Sequence, residues 1–215
     1  MDDIVAACAA DLRALCPAAD DAALEAAATD LVQRWQQPHR SYHSLRHLAE
    51  VLAALGRLSA AGEIDDRGLL VCRVAAWFHD AVHDGSAAPG ADEEASAALA
   101  IDVLDRLGAD LAVVERVASL VSATTDHTPS DDPAVATLLD ADLWILGAPE
   151  ARFDDYCRQV REEYSTVADD DYARGRSQVL TALLSHETLY STATARGAWE
   201  AQARVNVARE LARLT

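Results

Sequence analysis

A chain of 215 residues, 51% hydrophobic, is long enough to bury a full core. Its formal net charge of -18, with Arg supplying every one of its 18 basic side chains, argues against sequence-independent nucleic-acid binding and against an anionic membrane surface. Without Lys, Schiff-base and Lys-nucleophile mechanisms are excluded. Apolar residues recur at three- and four-residue spacing almost throughout and strand-like alternation is missing, so the chain reads as all-α. Helices are predicted at 2–15, 20–36, 44–60, 66–80, 92–107, 110–124, 132–146, 149–164, 170–185 and 197–213. Asp92-Glu93-Glu94 and Asp169-Asp170-Asp171 place carboxylates at helix N-termini, and Gly62, Gly108 and Gly147 fall where helices should stop. The loops Gly85-Ser86-Ala87-Ala88-Pro89-Gly90 and Thr128-Pro129-Ser130-Asp131-Asp132-Pro133 are breaks between helices, the first a mobile rim beside His79 and Asp80. No Pro/Gly/Ser-rich linker divides the chain, so a single domain over 1–215 is expected.

Four cysteines, Cys8, Cys16, Cys72 and Cys157, lack Cys-x-x-Cys spacing and sit in apolar helical contexts, which suits reduced core thiols of a cytoplasmic protein. The N-terminus is acidic where a signal peptide would be basic, and no apolar run reaches the length of a membrane span.

His79-Asp80 ends the almost wholly apolar stretch Leu69–Phe78. A helix apolar on nearly every face is buried, and an imidazole beside a carboxylate at its inner end is costly unless something pairs with both; a metal ion is the natural partner. Asp142 has Leu138, Leu139, Ile145 and Leu146 as helical neighbours and therefore lies inside an apolar stripe, where a carboxylate turns neutral or finds a cation. Asp140, among Ala136, Thr137, Leu143 and Trp144, has a less enclosed setting that suits a capping or ligand-orienting role. His43 and His47, one turn apart near the start of a helix, are placed so that one or both face the same cavity.

These residues resemble the HD superfamily of metal-dependent phosphohydrolases, and in particular its small bacterial branch of predicted metal-dependent HD phosphohydrolases. The resemblance is carried, in order, by Pro38–His47, Trp77–Asp84, Asp92–Ala97, Leu139–Leu143, Arg161–Tyr164 and Ala203–Asn206, and runs from about Trp35 to the C-terminus. It implies a helical HD core between about 43 and 146 with additional N- and C-terminal helices, and His47, His79, Asp80 and Asp142 as metal ligands. A mixed nitrogen and oxygen set of this kind suits one divalent transition metal, Mn, Fe, Co, Ni or Zn, better than Ca.

One turn past the pair lie His83 and Asp84, where HD hydrolases of guanosine tetraphosphate carry two acids; His83 departs from that pattern, which puts that activity in doubt, but its ordinary pKa of about 6.5 suits acid–base work. His127 is expected to line the pocket and assist catalysis. Arg40, Arg161, Arg176 and Arg204 are the candidates for phosphate contacts because a guanidinium fork matches phosphate oxygens; Arg40 is also a candidate catalytic residue, and Tyr42 and His43 stand beside it on the substrate side. His39 and His186 read as surface or structural. The function expected is hydrolysis of a phosphoester in a nucleotide or other small phosphorylated metabolite, with an HD-type di-iron oxygenase or a non-catalytic nucleotide sensor as rival readings. Self-association is left open.

Overall fold

The computed structural model describes residues 2–84, 88 and 90–214; the centre of the expected rim at 85–90 lies outside them. Among the described residues the chain is all-helical, with no strand. In chain order the helices are α1 (Asp2–Leu15), α2 (Asp21–Arg34), α3 (Leu45–Ala60), α4 (Asp66–Phe78), α5 (Ala91–Arg106), α6 (Leu111–Ala123), α7 (Pro133–Asp142), α8 (Glu150–Glu163), α9 (Asp169–Ser185), α10 (Ala193–Ala198) and α11 (Glu200–Leu214). A 3-10 turn, Leu143–Gly147, follows α7. Among the described residues no helix is long and apolar enough to cross a membrane.

The apolar composition of α4 decides the architecture. Val71, Cys72 and every residue from Val74 to Phe78 are buried, so neighbours must cover the helix on all sides. α1, α3, α5, α6 and α7 do so. One cluster of buried side chains runs from Cys8 to Val207, with Trp35, Trp77, Tyr190, Phe78 and Phe153 the largest of those fully buried. All four cysteines are free and buried within it. Asp11 locks α1 onto this centre, accepting from Arg73 at 2.9 and 3.0 Å and from the Trp77 indole at 2.8 Å. The Trp35 indole in turn donates to the Trp77 carbonyl at 2.9 Å, tying the end of α2 to the end of α4.

Two departures from the expected helices matter to the site. The helix predicted over 132–146 ends at Asp142, because the chain tightens into the 3-10 turn. That turn is held by the C-terminal segment: Tyr190 donates to the Leu143 carbonyl at 3.0 Å, and the buried Asn206 amide donates to the Leu146 and Ala148 carbonyls at 2.8 and 2.9 Å. Gly147 is required there, since a Cβ would lie 2.6 Å from Trp199 Cβ. The helix predicted over 197–213 is preceded by a separate one, α10, capped by Thr192 and broken from α11 at Trp199.

Candidate metal centre

Three elements deliver four side chains to one point. His47 comes from the first turn of α3, His79 and Asp80 from the C-terminal end of α4, and Asp142 from the last residue of α7. The Nε2 atoms of His47 and His79 are 3.2 Å apart. Asp80 Oδ2 lies 3.2 Å from the His79 nitrogen and 3.6 Å from that of His47. Asp142 Oδ1 lies 3.0 Å from His47 and 3.4 Å from His79. Donors sharing one ion at about 2.1 Å stand about 3.0 Å apart in adjacent octahedral positions and about 3.4 Å apart in tetrahedral ones, so His47, His79 and Asp80 are spaced as a ligand set, and Asp142 meets the same spacing toward the two imidazoles.

The hydrogens show what the set lacks. His79 Nδ1 lies 2.8 Å from the Ala76 carbonyl, which only accepts, so Nδ1 carries the proton and neutral His79 turns a lone pair on Nε2 into the cage. There it meets another imidazole nitrogen and two carboxylate oxygens. Burial opposes charge on His79, yet Asp80 and Asp142 outweigh it and raise its pKa well above the ordinary value. Burial likewise pushes both carboxylates up, and the imidazoles beside them, His79 foremost, draw them below the ordinary range. The two carboxylates thus favour positive charge at this point, and a metal ion held there would compete with a proton for it.

Neighbours fix each ligand. His127 Nε2 lies 2.8 Å from Asp142 Oδ2, the oxygen turned away from the cage. His127 adopts a left-handed backbone (φ 51°), which His tolerates better than most residues. Arg40 is buried and donates to the carbonyls of Asp80 at 2.6 Å, Ala81 at 3.1 Å and His43 at 3.1 Å, which satisfies the end of α4 exactly where the ligand pair sits in the turn. The Trp35 ring packs 5.3 Å from His79, and the Tyr42 ring 4.7 Å from His47.

A second group lies beside the first. His43, His83 and Glu163 place donor atoms close enough to hold a metal, as do His47, His79 and Asp80. Here, however, the hydrogen bonds are already made. Glu163 Oε1 accepts from the backbone N–H of Tyr42 at 2.8 Å and of His43 at 2.9 Å, and Oε2 accepts from His43 Nδ1–H at 2.7 Å. Burial pushes Glu163 up, but His43 and the two amides outweigh it and hold the carboxyl near 2. His83 stacks on His43 with ring centroids 4.1 Å apart. Burial and then His43 lower its pKa to about 4, below the ordinary value that makes it a candidate for acid–base work.

The remaining sequence candidates divide sharply. Tyr42, His43, His127 and Arg176 line a cavity of about 840 Å³ that also reaches His47, Asp80 and Asp142. Arg40 does not face it, being spent on backbone carbonyls. Arg161 caps the end of α8 through the carbonyls of Tyr164 and Val167 and pairs with Asp169 at 2.6 Å. Arg204 pairs with Glu200 at 2.6 Å and donates to the carbonyls of His186 and Glu187. Asp84 is exposed, its N–H donating to Asp92 at 2.9 Å, and is not among the cavity-lining residues. Asp140 is more enclosed than Asp142, reversing the sequence expectation: it is buried and accepts from the Ser191 and Thr192 amides at 2.8 and 2.7 Å, holding the start of α10 rather than orienting a ligand.

His186, read as surface or structural, lines the cavity, and His39 Nε2 lies 2.8 Å from the His83 carbonyl. Sequence reasoning missed Glu163 and Glu93 as individual residues of the site, and Tyr156 and Tyr172 altogether. Tyr156 and Tyr172 read as ordinary helix-face aromatics, and Glu163 as one of a run of surface charges. Set against protein-family models, curated proteins and solved structures, the chain finds no match.

Proposed function

We propose that the protein is a metal-dependent phosphohydrolase acting on a small phosphorylated metabolite, in keeping with the resemblance of its His47, His79, Asp80 and Asp142 strings to HD enzymes. The observation that carries this reading is the cage itself: two imidazole nitrogens and two carboxylates within 3.0–3.6 Å in the measured pairs, at the wall of a large cavity. A divalent cation held there would supply a Lewis acid and lower the pKa of water bound to it. The protein's own part is positional. Ala76 and His127 aim His79 and Asp142, Arg40 fixes the turn that carries Asp80, and Tyr42 with Trp35 walls the imidazoles against bulk water. His43, whose Nδ1–H is committed to Glu163, is left with Nε2 for a ligand in the cavity.

A binuclear centre is the second reading, favoured by the neighbouring His43, His83 and Glu163 group. The completed hydrogen bonds of Glu163 weigh against it. Elemental analysis of protein purified without chelator, joined to a phosphatase screen over nucleotides and sugar phosphates, tests both. One ion per chain and released phosphate support the proposal; two ions favour the binuclear reading, and metal-loaded protein that releases no phosphate from any compound counts against hydrolysis.

A further inference from the structure

The cavity wall contributed by α9 carries two polar side chains with unmet needs. Tyr172 and Arg176, one turn apart on that helix, both line the cavity. The Tyr172 hydroxyl and the Arg176 Nε are buried without a hydrogen-bond partner. Arg176 makes a single hydrogen bond among the described residues, from Nη2 to the Tyr156 hydroxyl at 2.6 Å, with its guanidinium 4.9 Å from the Tyr156 ring centroid. It forms no ion pair there, whereas Arg152, Arg161, Arg204 and Arg209 each hold a carboxylate. A half-buried guanidinium whose Nε is shut off from water with no anion beside it carries a desolvation cost, and a ligand that brings the anion relieves it.

Aromatic rings in contact connect this point to the cage: His47 to Tyr42 at 4.7 Å, Tyr42 edge-on to Tyr156 at 4.5 Å, and Tyr156 to Arg176 through its hydroxyl. The charges around it limit what can bind. Arg176 is the only Arg among the described lining residues, against Asp80, Glu93, Asp126, Asp142 and Asp171. A divalent cation would offset Asp80 and Asp142, and Arg174 pairs with Asp171; Glu93 and Asp126 remain to repel further negative charge. Much of the remaining wall is apolar, with Leu143, Ile145, Val160, Val179 and Leu183.

Resting on the hydrolase reading, we infer that Arg176, with the Tyr156 hydroxyl beside it, is the receptor for one phosphate group, and that the ligand is a monophosphate of an organic moiety rather than a polyphosphate. The Tyr156 hydroxyl, having accepted from Arg176, keeps its own proton to donate to the same anion. The apolar wall takes the organic part.

The test is calorimetric binding of inorganic phosphate to the full chain loaded with Mn²⁺, and to the same protein after chelation, comparing wild type with Arg176→Gln. Loss of a charged hydrogen-bond partner should weaken phosphate by about 10–100-fold with Mn²⁺ content unchanged. Tripolyphosphate should bind no tighter than phosphate. Equal phosphate affinity in wild type and Arg176→Gln, or tighter binding of tripolyphosphate, overturns the inference. Should circular dichroism show Arg176→Gln unfolded, Arg176→Lys is measured instead; it keeps the charge without the planar fork, and unchanged affinity in a tripolyphosphate-tolerant protein would contradict the inference equally. Because binding is read without turnover, phosphate held at Arg176 by a protein inactive in the phosphatase screen upholds the receptor and removes only the hydrolase reading.

Discussion

The cage of His47, His79, Asp80 and Asp142 and the adjoining group of His43, His83 and Glu163 are built from the same residue types and differ in where their hydrogens go. Glu163 meets three N–H donors and is satisfied by protein alone. At the cage, His79 spends its Nδ1–H on Ala76, and its Nε2 lone pair faces the His47 nitrogen and two carboxylate oxygens. One group is complete and holds the segment before α3 against α8; the other gathers donor atoms that could hold a metal ion. Residue identity does not separate a ligand set from a structural network, but the count of donors against acceptors does.

Removing a cage ligand should have the largest effect. His79→Ala and Asp80→Ala are expected to lose stoichiometric metal and all turnover, read by elemental analysis and by phosphate release, and full metal in His79→Ala would break the comparison. His127→Ala comes next, since it frees only the outer oxygen of Asp142; metal affinity should fall about 10–100-fold with the stoichiometry at saturation retained.

Changing the completed group should instead act on stability. Glu163→Gln keeps an acceptor for the backbone amides but loses the charge that holds His43, and should cost about 1–3 kcal/mol in urea unfolding at pH 7 with metal content unchanged. The sign of the pH dependence follows from Glu163 being held near 2 in the folded chain, below its ordinary 4.5. Its contribution is full above about 4.5 and is lost as pH falls toward 2, so wild type and Glu163→Gln should converge in stability over that interval. Asp140→Ala should cost about 1–2 kcal/mol by releasing the Ser191 and Thr192 amides, again with metal retained. Metal loss in Asp140→Ala would return that residue to the site.

How much of this was legible in the sequence depended on whether the local helix was regular. His79-Asp80 stands out because an apolar helix leaves polar residues at its end without water; the structure buries His79 at the end of α4 and leaves Asp80 half-buried on the cavity wall. Asp142 was singled out on the assumption that a helix continued to 146. The helix stops at Asp142, and the residue reaches the cage because the backbone tightens there, under Tyr190 and Asn206 from distant sequence. Asp140 misled for the same reason, since its enclosure comes from the Ser191–Thr192 segment and not from its own helix. Four arginines looked alike in sequence because ion pairing is tertiary: Arg40, Arg161 and Arg204 find carbonyls and carboxylates elsewhere, and only Arg176 lines the cavity. Glu163 was hidden in Arg161-Glu162-Glu163, a run that reads as a solvated helix face.

The most direct test is calorimetric titration of chelated, full-length protein with Mn²⁺ or Zn²⁺ in buffers of different ionisation heat, on wild type, Asp142→Asn and Glu163→Gln. The account predicts one ion per chain with proton release in wild type and in Glu163→Gln, and no stoichiometric binding in Asp142→Asn. Binding that survives Asp142→Asn and vanishes in Glu163→Gln would contradict it, for the ion would then belong to the group whose hydrogen bonds are already made.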